Sequence, residues 1–352
     1  MALTFECTFC CFLISALLAS VSEPCTARQE SKRTESLTTI ENSIGMKLVR
    51  VPAGEFLMGS DETPAQLARG FEVYLNQKDE YGIDRLDIRD NQPVHRVRIT
   101  RSFYLGQHEV TVGQFRQFLA LSGYVPESIR DATGGYGFDP DRPAEGDSFA
   151  GRNPKYSWQN PGFPQTDQHP VTNVTFEDAM ELCKWLSANE GVPYRLPTEA
   201  EWEYSCRAGT RTRFCNGDDP NGLAKVGNTF DLDCMTNWKK FPDWRPFVLQ
   251  ANDGFAFTSP VGSLAPNAFG IYDMHGNVWE WCSDFHADDY YSKSPVDDPK
   301  GPETGSVRIR RGGSWHTWSL YATASYRNWN SETTRYTLMG IRLVREETPN
   351  AK

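Results

Sequence analysis

Residues 267–281 read NAFGIYDMHGNVWEW, a segment rich in turn formers that runs into a short strand. Asn, Gly and Asp recur along its first ten positions, and these residue types favour turns. Trp279 and Trp281 alternate at its end, and a two-residue period places both indole rings on one face of a strand. We therefore predict that Trp279 and Trp281 fill a hydrophobic core rather than bind a ligand.

The composition of the whole chain agrees with this segment. The 352 residues include 28 Gly, 22 Pro and 10 Trp, which predicts a loop-rich fold with short strands and few helices. Hydrophobic residues make up 39% and charged residues 23%, as in globular proteins. The formal net charge of −10 argues against non-specific nucleic-acid binding, which needs a basic surface.

Three helices are predicted from capping boxes, in which an N-terminal Ser or Thr is followed three residues later by an acidic or amide residue. Their predicted limits are 111–123, 175–191 and 198–209, each beginning at a Thr and closing near a Gly. Partial alternation over 47–58 predicts a β-hairpin, and alternation over 95–105 predicts a half-buried strand. The long polar segment 125–168 is a candidate rim of a binding site.

The N-terminus resembles an export signal. Residues 8–21 form an apolar run of 14 residues, which is short for a membrane span and suits a signal-peptide core. We predict a signal peptide over 1–27 and a flexible leader over 28–42, with an uncleaved anchor as the alternative. The protein is accordingly expected to be secreted or periplasmic, with no membrane span after cleavage.

Five of the nine cysteines follow the predicted signal peptide: Cys183, Cys206, Cys215, Cys234 and Cys282. An odd number in an exported protein implies at least one free thiol. Cys215 and Cys234 flank a polar stretch and are the best disulfide candidates. Cys183 follows an apolar helical pattern and is expected to be a small buried hydrophobic residue.

A series of motifs in fixed order identifies a family resemblance. The motifs are PAGEF (52–56), EVT (109–111), HPV (169–171), RLPTEAEWEY (195–204), GNVWEW (276–281), RGGSW (311–315) and GIRLV (340–344). In this order they resemble the formylglycine-generating enzyme, or sulfatase-modifying factor, domain over about 43–346, with 347–352 as a tail. The resemblance implies a single compact α+β domain, related to the C-type lectin fold and often calcium-bound.

The residues that perform the family's chemistry are replaced in this chain. The family uses two cysteines after Gly-Gly-Ser, because thiolates are soft ligands for Cu(I) and a thiol can exchange with the substrate sulfur. Counting from Gly312-Gly313-Ser314 places these positions on Thr317 and Ala322. Thiol oxidation and copper binding are therefore not expected. The family's disulfide is also in doubt, because Leu343 stands where the partner of Cys206 would be.

The family's two calcium sites are better preserved. The first maps onto Asn228 and Asp253 through side chains, with carbonyls from Thr229 and Phe255. The second set comprises the side chains of Asp273 and Glu280 and the carbonyls of Gly276 and Val278. Hard oxygen ligands of this kind suit Ca²⁺, although Asp and Asn are also common in solvated turns.

Two functional hypotheses remain open from the sequence. In the first, the former active-site cleft near Ser314 and His316 binds a peptide, protein or carbohydrate, with aromatic lining from Trp315, Trp318, Tyr321, Tyr326 and Trp329. In the second, the chain is an oxidoreductase: either it still generates Cα-formylglycine in a sulfatase partner, or it is an oxidase with a different metal, since one fold hosts several chemistries.

Overall fold

A computed structural model describes residues 38–71, 89–139, 149–238 and 242–347. The predicted signal peptide, most of the predicted leader and residues 348–352 lie outside this part of the chain. Within the described part, no helix combines the length and apolar character needed to cross a bilayer.

Short strands dominate the described residues, as the composition predicts. They are β1 (Thr39–Glu41), β2 (Lys47–Val51), β3 (Gly54–Met58), β4 (His95–Ile99), β5 (Phe103–Gly106), β6 (Gly135–Phe138), β7 (Phe149–Asn153), β8 (Tyr194–Arg195), β9 (Trp279–Phe285), β10 (Arg308–Arg311), β11 (Asn328–Asn330), β12 (Met339–Gly340) and β13 (Val344–Glu346).

These strands form two main sheets and two separate pairs. One sheet has the order β1-β2-β5-β13-β8, and the other has the order β11-β10-β9-β12. Strands β3 and β4 form one antiparallel pair, and β6 and β7 form the other. The five-stranded sheet joins the first and last described strands, β1 and β13, to β8 from the middle of the chain.

The helices are few and mostly short. They are α1 (Pro64–Gly70), α2 (Val112–Ser122), α3 (Glu127–Arg130), α4 (Phe176–Glu190), α5 (Glu199–Arg207) and α6 (Leu232–Met235). Single 3₁₀ turns span Arg89–Asn91, Pro220–Lys225, Thr236–Trp238, Pro242–Phe247, Tyr290–Ser292 and Ser319–Ala322.

The three predicted capping boxes are confirmed. The side chains of Thr111, Thr175 and Thr198 each accept a hydrogen bond from the third backbone N–H of helices α2, α4 and α5. The side chain of that third residue in turn accepts from the backbone N–H of the threonine. Helices α2 and α4 end at left-handed glycines, as predicted. Helix α5 ends one residue earlier than predicted, at a left-handed Ala208 before Gly209.

Trp279 and Trp281 lie in the core, as predicted. They project from β9 into a cluster formed by one face of α2, one face of α4 and the C-terminal residues Ile341 and Leu343. Trp281 is fully buried and Trp279 is 3% exposed. Cys183 on α4 lies in the same cluster, which confirms its predicted role as a buried hydrophobic residue.

Three local predictions are wrong. Residues 47–58 form two strands but no hairpin, because β2 pairs with β5 whereas β3 pairs with β4. Residues 95–105 form β4 and the first part of β5, not one continuous strand. The end of the predicted leader is ordered, since β1 pairs with β2 in the five-stranded sheet. In the first two cases the strand partner is distant or follows a break that periodicity does not show.

Candidate ligand cleft and calcium sites

Strand β10 ends in a tight turn against which both former cysteine positions pack. Gly312 and Gly313 adopt left-handed backbone conformations, with φ of 99° and 79°. A β carbon on Gly313 would lie 3.0 Å from the methyl carbon of Ala322, so this close approach favours glycine. Ser314 Oγ and Thr317 Oγ1 share a hydrogen bond of 2.6 Å. Thr317 and Ala322 are both buried, and neither supplies a sulfur ligand.

His275 lies between Ala322 and two cysteines. Its Nδ1–H donates to the carbonyl of Ala322 at 2.8 Å, and its Nε2 accepts from the backbone N–H of Cys215 at 3.0 Å. Nε2 also lies 3.6 Å from Cys206 Sγ. Burial lowers the pKa of His275 to about 4, so the imidazole is neutral and both of its nitrogens are used.

The thiols beside His275 remain protonated at neutral pH. Burial raises the pKa of Cys215 to about 11 and raises that of Cys206 well above its usual range. Since the thiolate is the nucleophilic form, neither cysteine is activated for attack in this structure.

The predicted aromatic lining is divided between the core and the surface. Trp315 is fully buried, and its Nε1–H donates to the carbonyl of Thr337. Trp329 is 39% exposed and stacks on His286 with ring centroids 3.8 Å apart. Trp315 is therefore a core residue, and Trp329 is a surface residue that packs on His286.

Four half-buried aromatic residues form what we call the aromatic face: Trp318, Tyr321, Tyr326 and Tyr336. Trp318 and Tyr321 lie 5.9 Å apart between ring centroids, and Tyr321 and Tyr326 lie 4.9 Å apart. Tyr336 contacts Tyr136 at 4.3 Å, and Tyr136 belongs to the segment predicted as a rim. Three of these four rings pack on the main core cluster, and Trp318 follows directly on Thr317.

His316 is half-buried against other rings. Its ring centroid lies 5.1 Å from that of Phe230 and 5.5 Å from that of Trp315. Burial lowers the pKa of His316 to about 3, so its side chain is neutral. Among the described residues, the single group of three acidic, His or Cys ligand atoms within 4.8 Å of one another does not include His316.

The four residues predicted for the first calcium site lie together. The backbone N–H groups of Thr229 and Phe255 donate to the two carboxylate oxygens of Asp253, at 3.1 and 2.8 Å. Asn228 and Thr229 are fully buried, and Asn228 Oδ1 and Thr229 Oγ1 have no hydrogen-bond partner. Buried oxygens without donors are what a hard cation would satisfy, so these residues fit calcium.

Two further carboxylates extend this first site. Oxygen atoms of Asp231, Asp233 and Asp253 all lie within 4.8 Å of one another. Burial, followed by the nearby charge of Asp231, raises the pKa of Asp253 to about 8. A cation would relieve the repulsion within this group. Asp231 and Asp233 were not predicted, although their alternate spacing in a turn-rich stretch is a signal that could have identified them.

The second predicted calcium set is organised around an ion pair instead. Both carboxylate oxygens of Glu280 bond to Arg342, and one also accepts from Trp202 Nε1 at 2.7 Å. Asp273 accepts from the N–H of Gly262, and burial raises its pKa to about 6. Gly276 and Val278 lie in the turn before β9. The carboxylate of Glu280 is occupied by Arg342, whereas Asp273 Oδ1 is buried without a hydrogen-bond partner, so calcium at this second set stays a prediction.

Glu109 belongs to the same cluster, although no sequence motif predicted it. Its carboxylate lies 4.0 Å from the guanidinium of Arg342 and faces Asp273. Burial, together with the charge of Asp273, raises the pKa of Glu109 well above its usual value. Glu109 lies two residues before Thr111, the N-cap of α2. A capping motif predicts the start of a helix and does not indicate that a nearby acid is buried.

The predicted disulfide is not formed. Cys215 and Cys234 are both free thiols in the structure, as are Cys183, Cys206 and Cys282. Cys215 packs beside Ala322 and Leu320, whereas Cys234 lies in a different cluster with Phe230 and Trp315. The polar stretch between them folds as separate short turns, which place the two cysteines in different clusters.

The described residues fold as an α+β domain in which a Gly-Gly-Ser turn follows β10. Residues 35–347 match the family model described as "Sulfatase-modifying factor enzyme 1-like domain", so the chain belongs to the FGE-sulfatase family. Formylglycine-generating enzyme from Streptomyces coelicolor is 34% identical over 284 residues, which cover 76% of this chain and 78% of that protein.

Solved structures show the same fold. PvdO from Pseudomonas aeruginosa has a TM-score of 0.64 and 28% identity, covering 88% of this chain and 98% of that one. Treponema denticola variable protein 1 has a TM-score of 0.57 and 21% identity, covering 88% and 99%. The predicted fold class, a compact α+β domain related to the C-type lectin fold, is confirmed.

Proposed function

We propose that this protein is an exported, calcium-binding member of the family. It binds a peptide segment of a partner protein at the aromatic face and does not oxidise thiols through a copper–cysteine pair. The observation that carries the proposal is which residues stand at the two former cysteine positions. Thr317 bonds to Ser314 and Ala322 packs against Gly313, so both positions are filled without sulfur.

The aromatic face supports ligand binding. Trp318, Tyr321, Tyr326 and Tyr336 are half-buried, and Trp318 follows directly on Thr317. Aromatic side chains combine a large apolar surface with a polar edge and are enriched at recognition surfaces. A peptide is favoured over a carbohydrate because membership of the sulfatase-modifying factor family suggests a protein partner. A sulfatase is one such partner.

The alternative is an oxidoreductase, either generating Cα-formylglycine or using a different metal. Two imidazoles lie near the former cysteine positions. His275 Nδ1–H donates to the carbonyl of Ala322 at 2.8 Å, and His316 packs against Phe230 and Trp315. No observation at this turn favours the alternative, and the following experiment separates it from ligand binding.

The test uses a peptide carrying Cys-x-Pro-x-Arg, incubated with the full protein, copper and oxygen, and analysed by mass spectrometry. We expect the cysteine to remain unmodified, while the Streptomyces coelicolor enzyme converts it in parallel. Conversion by this protein to the aldehyde would overturn the proposal. The variant Thr317→Cys/Ala322→Cys is the matched control, and we expect it to gain Cu(I) binding in competition with a chromogenic chelator.

The export proposal has its own test. The apolar run over 8–21 supports cleavage near residue 27. Expression of the full chain, followed by N-terminal sequencing of the protein recovered outside the cytoplasm, should give a mature start near residue 28. Recovery of the uncleaved chain in the membrane fraction would support the anchor instead.

A further inference from the structure

The three arginines of β10 have different partners. Arg308 forms an ion pair with Glu332, and Arg311 forms ion pairs with Glu199 and Glu203. Arg310, which lies between them, contacts one neutral acceptor: its Nε and Nη2 lie 3.3 and 3.2 Å from Asn328 Oδ1. Among the described residues, no carboxylate lies within 4.0 Å of the Arg310 guanidinium.

Aromatic side chains surround this guanidinium. Its central carbon lies 4.6 Å from the ring centroid of Trp279. The hydroxyl groups of Tyr326 and Tyr336 are close enough to raise the pKa of the guanidinium. Burial lowers the pKa of Arg310 to about 10, so the group stays charged at neutral pH. A cation partly removed from water without a counter-ion costs free energy unless a ligand supplies one.

Arg310 also lies beside the aromatic face. Tyr326 and Tyr336 belong to that face, and β10 leads through Gly312 and Gly313 to the former cysteine positions. Arg310 is half-buried, so part of its side chain reaches the surface beside the aromatic face. A guanidinium has five N–H donors in a planar fork, and Asn328 engages only part of that fork.

We infer that Arg310 binds a carboxylate of the peptide ligand, either an Asp or Glu side chain or the C-terminus. The guanidinium matches a carboxylate in two parallel hydrogen bonds, and the surrounding rings strengthen the pair by excluding water. The aromatic face contacts the neighbouring part of the same peptide. This inference rests on the proposed peptide binding and specifies its selectivity.

The experiment is a selection of random heptapeptides by mRNA display on the full protein. Three baits are compared: the wild type, Arg310→Gln and Arg308→Gln. Arg308 is the matched control, because it lies on the same face of β10 but already has Glu332 as a partner. We expect Asp or Glu at one position of the peptides selected by the wild type and by Arg308→Gln, and no such preference with Arg310→Gln.

Calorimetry then measures a selected peptide against its Glu→Gln or Asp→Asn counterpart. The wild type should bind the acidic form on the order of tenfold more tightly, as expected for a hydrogen-bonded charged pair. Arg310→Gln should bind both forms equally, and Arg310→Lys should keep part of the preference. Equal melting temperatures of the two glutamine variants would show that folding does not explain the difference.

The outcomes separate the two proposals. Consistent peptide selection without an acidic position would overturn the role of Arg310 and leave peptide binding intact. Failure to select any peptide on the wild type would overturn the proposed function itself. Binding of D-glucuronate that depends on Arg310, without peptide selection, would reassign the site to an acidic sugar and overturn the peptide inference.

Discussion

At the scale of single residues, Arg311 holds together a buried network of charges. It bonds to Glu203, which also accepts from Arg207 Nε at 2.9 Å, and it lies 3.4 Å from Glu199. All of these groups are nearly inaccessible to solvent. Removing one partner from a buried ion pair leaves an uncompensated charge, which is strongly destabilising.

We predict that Arg311→Met lowers the free energy of unfolding by about 3 to 5 kcal/mol. Urea denaturation monitored by tryptophan fluorescence measures the change. Arg96→Met is the control, because the ion pair of Arg96 with Glu55 is exposed and should contribute much less. Equal losses in the two variants would show that the network is not held by Arg311.

Asp284 makes stability depend on pH. Burial and the charge of Glu199 raise its pKa to about 7, whereas an unfolded Asp titrates near 4. Between these values the folded state keeps a proton that the unfolded state has lost. The contribution of Asp284 to stability is therefore complete below about pH 4 and is lost as the pH rises towards 7.

We predict that Asp284→Asn, which keeps the acceptor for the N–H of Glu199, gains stability relative to the wild type as the pH rises from 5 to 8. The measurement is the free energy of unfolding of both proteins across this range. A difference that stays constant with pH would contradict the raised pKa.

Some of the site could be predicted residue by residue, and some could not. Thr317 and Ala322 follow from counting after Gly-Gly-Ser, because that turn is local. Arg310 could not be distinguished in the sequence RIRR from the arginines beside it. Its lack of a carboxylate partner depends on which distant acids pack against each arginine, and only the folded chain determines that.

At the scale of elements, the capping boxes were reliable because every contact that defines them lies within four residues. Strand pairing was not, because β2 and β3 are adjacent in sequence yet belong to different sheets. The Pro52-Ala53 segment between them redirects the chain instead of closing a hairpin. Local patterns therefore located the strands but not their partners.

The cap of α4 gives a prediction at this scale. Thr175 Oγ1 accepts from the N–H of Asp178, and the Asp178 carboxylate accepts from Thr175 N–H and Tyr124 Oη. Thr175→Ala should lower the free energy of unfolding by about 1 kcal/mol, the usual value of an N-cap. Thr175→Ser retains the hydroxyl group and should lose less. Equal losses would point to packing of the threonine methyl group instead.

At the scale of the whole molecule, ordered motifs along the chain predicted the fold better than any single pattern. The lectin-related α+β class followed from the resemblance, since turns and short strands alone are compatible with many folds. The acidic cluster at the proposed first calcium site was predicted only in part. Asp231 and Asp233 joined Asp253 because the intervening segment folds back on itself, with Asp231 bridged to Leu249.

That site gives the last prediction, the effect of calcium removal. Without an ion, three carboxylates lie close together and the oxygens of Asn228 and Thr229 lack partners. Calcium at a hundred times its dissociation constant would stabilise the fold by about 2.7 kcal/mol. We therefore expect EGTA to lower the melting temperature and added calcium, but not magnesium, to restore it. Asp253→Asn should remove this response, whereas Asp288→Asn, at an exposed position, should keep it. An unchanged melting temperature, together with no calcium in elemental analysis of the purified protein, would refute the site.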